Sequence, residues 1–333
     1  MTLYLHGLGH FHPPNEITNR FLEELDIGTS DAWILERVGI RSRRTLLPLD
    51  YLRETRNRDP RAALEAAELS GAEIGARAAR MAIERAGIDP REIGMVIAGC
   101  SATDTASPAE ACNVARELGL EVPAFDVQSA CTSFFVELYL LQRMQPQKLP
   151  PFVLVVTPEG LTRTVSYDDR ASAVLWGDAA SAAVVSTRRP ARARILGNTL
   201  CSSPAGADKV VVPRLGHFRQ EGRQVQMFAI KKTTRLLQQL QSEFEDGERR
   251  LHFVGHQANL LVLEHVCARC EIPPERHHFN VDWYGNTGAA GAASVLSTHW
   301  DKWRDDDDVA VVGVGSGLTW SSYLVRFGET DAA

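Results

Sequence analysis

Short apolar runs alternate with helical stretches along almost the whole chain, and they do so in two successive series. Residues 3–9 read as a strand ending in a turn. Residues 70–86 have helical period, and Gly87 stops them. Residues 95–99 form a short apolar run that suits a buried strand. A helix follows over 108–118 and a strand over 124–127. Residues 131–144 are apolar almost all round, which predicts a buried helix. Residues 152–157 and 182–186 read as further strands. Arg188-Arg189-Pro190-Ala191-Arg192 then breaks the pattern. Beyond it come a strand over 195–200, a helix over 227–244, a strand over 251–254 and a helix over 260–270. Strands are expected near 278–281 and over 309–314. Alternation of this kind predicts an α/β fold with a mostly parallel sheet covered by helices on both faces. The seam divides the chain into residues 1–187 and 188–333; the two series suggest a duplicated α/β unit, although the residues of the halves are too dissimilar to mark a repeat.

A chain of 333 residues can bury a shared core of that size. Its net charge of −6 gives no reason to expect nucleic acid as a partner. No apolar run reaches membrane-spanning length and no leader is visible, so a cytoplasmic protein that does not enter a membrane is expected. The six cysteines are scattered, unlike the framework of a small secreted domain. Cys267 and Cys270 have metal or redox spacing, but no second pair accompanies them, and they read as two thiols on one helix.

Three short motifs carry chemistry. In Ser129-Ala130-Cys131-Thr132-Ser133-Phe134, a small-residue turn leads into the apolar helix and sets Cys131 at its N-terminus. Unpaired N–H groups and the helix dipole favour a thiolate there, the nucleophilic form. Gly255-His256-Gln257-Ala258-Asn259 follows a strand. Tyr284-Gly285-Asn286-Thr287 is a turn after the strand expected near 279–282. Open α/β sheets gather their active sites at the C-terminal ends of strands, where both motifs fall. His256 and Asn286 can each donate a hydrogen bond to one thioester carbonyl, which stabilises an enolate. An ionised acid at 286 could not donate. A fourth motif, residues 313–320, is a glycine-rich loop near the end of the chain. The arginines at 37, 41, 43, 44, 53, 56, 58 and 61 suit either a solvated face or an anion site.

His256-Gln257-Ala258-Asn259-Leu260, Val281-Asp282 and Tyr284-Gly285-Asn286-Thr287 together resemble the β-ketoacyl-acyl-carrier-protein synthase III family of the thiolase superfamily. The resemblance extends to 31–41, 126–134, 168–170, Gly177-Asp178 and 315–320. It implies a thiolase-like fold, two duplicated βαβαβαββ halves in a five-layer α-β-α-β-α arrangement. It also implies a decarboxylative Claisen condensation. Cys131 would take an acyl group from acyl-coenzyme A. His256 and Asn286 would activate a malonyl or 3-oxoacyl thioester. The backbone N–H groups of Cys131 and Gly317 would form the oxyanion hole. Trp33 would stack on the adenine of coenzyme A, with Arg37 and Arg170 beside it, and Ala106 and Phe228 would contact substrate. No metal or redox cofactor is expected. An acyl carrier protein and a homodimer are expected as partners. Two other outcomes remain open: transfer of the acyl-Cys group to oxygen or nitrogen, and joining of two acyl chains into a diketone or cyclic dione.

The chain departs from the family pattern in places. Ser133 stands where Gly is usual, and Trp283 where a basic residue is usual. Ala179, Ala180 and Ser181 break a glycine pattern. Leu261 and Ala229 replace basic positions tied to carrier docking, while Arg269 is retained. Residues 49–68 look inserted. Ala106 falls where a bulky aromatic often closes the acyl pocket. A primer longer than acetyl is therefore expected, unless another side chain fills the space.

Overall fold

The computed structural model describes residues 2–214 and 216–328. The chain opens with β1 (Leu3–Phe11). The paired strands β2 (Asn15–Thr18) and β3 (Ser42–Thr45) follow, with α1 (Asn19–Glu24) and α2 (Asp31–Val38) between them. Residues 49–68 hold α3 (Leu49–Thr55) and α4 (Ala62–Ala66). Next comes α5 (Gly71–Ala86), whose ends the sequence specifies. The Ser70 hydroxyl accepts the Glu73 N–H, the Glu73 carboxylate reaches back to the Ser70 backbone, and Gly87 closes the helix at φ 66°.

The first half continues through β4 (Ile93–Ala98), α6 (Glu110–Leu118), β5 (Ala124–Asp126), α7 (Ser133–Leu141), β6 (Phe152–Glu159), α8 (Arg170–Ala173) and β7 (Ala179–Ser186). The Arg188–Arg192 segment is the link from β7 to β8 (Ala193–Ser202). Then come the small pair β9 (Val210–Val211) and β10 (Arg219–Gln220), and α9 (Gly222–Phe244). After these lie β11 (Arg250–Gly255), α10 (Leu260–Arg269), α11 (Val281–Tyr284), α12 (Ala290–Thr298), β12 (Asp307–Gly315) and β13 (Thr319–Phe327).

The main sheet has nine strands in the order β11-β12-β13-β8-β1-β7-β6-β4-β5. Its two ends are parallel: β11 with β12, and β4 with both β5 and β6. The middle is antiparallel. The expectation of a mostly parallel sheet is therefore corrected to a mixed one. One reason is local: the turn from Gly315 to Thr319 is far too short for a crossover, so β13 can only run antiparallel to β12. Another lies between the halves, where β1 and β8 pair antiparallel through Leu3 with Ile195 and Leu5 with Ala193.

Five layers result. α5 and α6 cover one outer face, packing on β1, β4, β6 and β7. α9 and α10 cover the other, with α9 on β12 and β13. α7 and α12 fill the middle: α7 touches β6 on one side and β8 and β13 on the other, while α12 touches β1 and β7 on one side and β11 on the other. Every residue of β6, β7 and of α12 from Ala290 to Ser297 is buried. Small Ala, Gly and Ser side chains let α12 lie close to sheet on both faces. Each buried Val, Leu or Ile in this layer contributes about 1.5–3 kcal/mol of transfer free energy.

The strand expected near 278–281 does not form. Only His277 bridges to Phe253, and His278 N–H donates to Phe253 O at 3.0 Å. The Gln257 side chain then captures the chain, its Oε1 accepting the N–H groups of Asn280 (3.0 Å) and Val281 (3.2 Å). Those donors are lost to a ladder, and the one-turn helix α11 begins instead. Asn286 therefore follows a helix, not a strand. β13 was not anticipated at all. Among the described residues, no helix is long and apolar enough to cross a membrane.

Candidate active site

Cys131 sits in a tight 3-10 turn, Ala130–Thr132, that runs directly into α7. Ala130 has φ +46°, a left-handed conformation that costs a non-glycine residue about 1 kcal/mol. Side chains of the same turn stabilise it. Ser129 N–H donates to Ser133 Oγ at 2.9 Å, and Ser133 Oγ–H donates to Ala130 O at 2.8 Å. Thr132 Oγ–H donates to Ser129 O at 2.7 Å. Ser133 thus does structural work that glycine could not.

The surroundings of Cys131 oppose the thiolate that the helix end favours. Burial pushes the Cys131 thiol up to about 12, the negative charge of Glu159 adds to that, and only a hydrogen bond from its own backbone acts the other way. Removal from water works against the helix end and favours the neutral thiol.

The glycine loop closes over this turn. A Cβ on Gly315 would lie 3.2 Å from the N of Thr132 and 3.3 Å from the N of Cys131, so glycine lets strand β12 end against the nucleophile turn. Gly317, at φ +131°, lines the same cavity of about 450 Å³ as Cys131. That cavity has a polar side formed by Ser101, Gln128, Ser129, Ser316 and Thr319. Its apolar side is formed by Leu161, Trp176, Ala207 and Val210 to Val212.

His256 leaves the end of β11, and its N–H donates to Val312 O at 2.8 Å, extending the parallel pairing by one residue. Val312 is three residues before Gly315 on β12, about 10 Å along the strand. Burial alone lowers His256 to about 4, so its imidazole is neutral and keeps one ring N–H. Asn286 is held on both sides of its backbone. Its N–H donates to Leu175 O at 2.8 Å, and its carbonyl accepts Gly177 N–H at 3.0 Å, flanking Trp176 of the cavity wall. Its Oδ1 accepts Gly288 N–H at 3.1 Å, which leaves the Nδ2 amide as the donor. The structure thus brings Cys131 and Gly317 into one cavity and sets Asn286 beside Trp176 of its wall, while His256 is held on β12, the strand that leads into the glycine loop.

The residues expected at the substrate entrance divide. Trp33 on α2 has the Arg37 and Arg170 guanidiniums 4.8 and 4.9 Å from its ring. Asn259 Nδ2–H donates to Arg37 O at 3.3 Å, joining this helix to the His256 motif. Phe228 on α9 packs edge-on against Trp320, with ring centroids 5.5 Å apart, next to the cavity residue Thr319. Ala106 is not brought to Cys131 within the chain. It lies exposed, because Asp104 accepts Gly71 N–H and pairs with Arg163, pinning its turn to the start of α5.

The arginine-rich segment is not one anion site. Arg43 is wholly buried, donating to Val174 O and Asn19 Oδ1. Arg58 pairs with Asp168, and Arg61 with Asp59. Cys267 and Cys270 are buried at the end of α10, and no group of side chains among the described residues is arranged to hold a metal.

Sequence reasoning missed Ser101, Trp176, the Val210–Val212 wall and Glu159. Glu159 left a signal, because an acid closing the apolar run of β6 is rarely buried without a purpose. It is fully buried, and burial raises it to about 7.

Known proteins share this fold. The family model described as 3-oxoacyl-[acyl-carrier-protein] synthase III matches residues 125–204, and the model of its C-terminal part matches residues 250–327. The β-ketoacyl-[acyl-carrier-protein] synthase III of Oceanobacillus iheyensis is 30% identical over 336 residues, covering 99% of this chain and 100% of that protein. The crystal structure of 3-oxoacyl-[acyl-carrier-protein] synthase III from Aquifex aeolicus superposes with a TM-score of 0.85 at 27% identity, over 98% of this chain and 100% of that one. The priming β-ketosynthase of the R1128 polyketide pathway superposes with a TM-score of 0.80 at 25% identity, over 98% and 97%. With its thiolase-like layers and full-length similarity, the chain belongs to the β-ketoacyl-acyl-carrier-protein synthase III family of condensing enzymes.

Proposed function

We propose that the protein joins an acyl group carried on Cys131 to a malonyl thioester, releasing carbon dioxide and a 3-oxoacyl thioester. The first half, residues 1–187, supplies the nucleophile, and the second, residues 188–333, supplies His256 and Asn286. In the first step the Cys131 sulfur attacks the carbonyl of an acyl-coenzyme A. The tetrahedral oxyanion takes hydrogen bonds from the N–H groups of Cys131 and Gly317. Collapse forms the acyl-Cys131 thioester, and coenzyme A leaves carrying the thiol proton.

In the second step a malonyl thioester loses carbon dioxide. The electron pair passes to its carbonyl oxygen, where the His256 ring N–H and the Asn286 Nδ2–H receive it. A neutral imidazole suits this role, since an imidazolium would tend to protonate the enolate and quench it. The enolate carbon attacks the acyl-Cys131 carbonyl, collapse expels the Cys131 thiolate, and a proton taken up from solvent restores the thiol. The order of events is ping-pong.

The observation that carries this reading is the Asn286 side chain. Its Oδ1 is occupied by Gly288 N–H, so it faces substrate as a donor, as an enolate requires. The apolar wall of Leu161, Trp176 and Val210 to Val212 favours an aliphatic primer longer than acetyl. Coenzyme A would enter past Trp33, Arg37 and Arg170, with Phe228 near the mouth and an acyl carrier protein delivering the extender. Ala106 would reach an acyl chain only in a homodimer.

The test is intact-mass measurement after incubation with acyl-coenzyme A thioesters of graded length, then with malonyl thioester. An adduct absent from Cys131→Ala and discharged by malonyl thioester as a 3-oxoacyl product supports the proposal. An adduct discharged instead to an alcohol or amine overturns it in favour of plain acyl transfer.

A further inference from the structure

Glu159 has no part in the chemistry just described, yet it touches both sides of the site. Its Oε1 accepts the Ser101 hydroxyl and the Ala289 N–H, each at 3.0 Å, and its Oε2 accepts the Ser101 N–H at 2.9 Å. Ser101 is part of the polar wall of the Cys131 cavity. Ala289 lies in the turn that begins at Asn286. Between them, Gly288 has φ +57°, and a Cβ there would lie 2.6 Å from Glu159 Oε1, so only glycine admits the carboxylate so close. The Gly288 N–H is the group that occupies Asn286 Oδ1. An unbroken series of contacts therefore runs from the cavity wall through Glu159 and Gly288 to the amide of Asn286.

We propose that Glu159 is a positioning residue that clamps the Asn286 turn to Ser101 and so aims the Asn286 Nδ2–H at the enolate. This rests on the reading of Asn286 as an enolate donor. Glutamate suits the task because its two oxygens accept three donors at once, and no neutral side chain of that size can accept all of them. A second consequence follows from charge. Glu159 opposes ionisation of Cys131, together with burial. The other titratable groups around it are Asp178, Glu137 and Cys100, and Arg163 lies in the turn that follows it.

The experiment compares the native protein with Glu159→Ala and Glu159→Gln. For Glu159→Ala, malonyl-coenzyme A decarboxylation is expected to fall at least tenfold, while acylation of Cys131 by acyl-coenzyme A stays within about threefold, as fits loss of one preorganised donor. Amide hydrogen exchange of the 286–290 segment should quicken. For Glu159→Gln, iodoacetamide alkylation of Cys131, followed by peptide mass, should reach its half-maximal rate at lower pH than in the native protein. Should Glu159→Ala fail to fold, Glu159→Gln carries the same comparison, because its amide N–H must oppose one of the three donors. Equal losses in acylation and decarboxylation would reduce Glu159 to general support and overturn the proposal. So would unchanged exchange at 286–290. A native protein that decarboxylates no malonyl thioester would overturn the functional reading, and the exchange measurement would still decide whether the clamp exists.

Discussion

Thr132 and Thr319, 187 positions apart, share a hydroxyl–hydroxyl hydrogen bond of 2.8 Å. The bond ties the nucleophile turn to the glycine loop, so the N–H groups of Cys131 and Gly317 are held in one frame. Thr319→Val keeps the shape and removes the bond. Stability should fall by about 1 kcal/mol. Acylation of Cys131 should slow roughly tenfold, as expected when an oxyanion site loosens. Stopped acylation reactions read by intact mass would check it, and an unchanged rate would show that the two N–H groups are set independently of this bond.

Ser133 laces the strained turn at Ala130 through two hydrogen bonds. Ser133→Ala removes these two bonds from the half-buried Ser129 N–H and Ala130 carbonyl, at a cost of about 1 kcal/mol. Denaturant unfolding of the variant should show a lower midpoint with the same slope. A midpoint equal to the native value would mean that α7 alone holds the turn.

Asn286→Asp places an acceptor where the enolate needs a donor. Decarboxylation should drop on the order of a hundredfold or more, while formation of the acyl-Cys131 adduct continues. Parallel assays of the two half-reactions would separate these effects, and equal loss in both would place Asn286 in acylation as well.

Trp33, flanked by Arg37 and Arg170, is exposed enough to stack on a flat ring. Loss of such a stack costs about 1–3 kcal/mol. Trp33→Ala should therefore raise KM for acyl-coenzyme A about tenfold or more and leave the rate from the acylated enzyme unaltered. A change confined to kcat would assign Trp33 to something other than nucleotide binding.

Acid should affect stability in two opposing ways. Burial lowers His256 and His277 to about 4 and His12 and His278 to about 3, from an ordinary 6.5. The unfolded chain binds those protons first, so stability falls as pH drops from 6.5 toward these values. Burial raises Glu110 and Glu159 to about 7, from an ordinary 4.5, and Asp178 to about 6, from an ordinary 3.8. There the folded chain binds protons first, so these groups add stability as pH drops from about 7 toward their ordinary values. The unfolding midpoint should be nearly level between pH 6.5 and about 4.5, then fall steeply once the carboxyl effect is complete. Thermal unfolding across that range would check it, and a steady decline from pH 7 downward would mean that the histidines dominate throughout.

The legible parts of the chain were those whose signals are local. The ends of α5 were readable because Ser70, Glu73 and Gly87 act within a few residues of one another. β6 and β7 were readable because strands buried on both faces must be apolar throughout. Cys131, His256 and Asn286 stood out because each lies in a short motif with its own turn chemistry. The missing strand near 278–281 was not readable, since Gln257, more than twenty residues earlier, withdraws its backbone donors.

The sequence by itself determined most of the order of elements, because periodicity and caps are written along the chain, and its motifs marked three candidate reactive side chains and carried the resemblance that implied the five-layer class. Tertiary structure alone decided the sense of strand pairing, the exposure of Ala106, the burial of the Cys131 thiol and the place of Glu159. Those depend on burial and on contacts between residues distant in sequence. The dielectric around a thiol, or the donors around a carboxylate, exist only after the chain has closed around them.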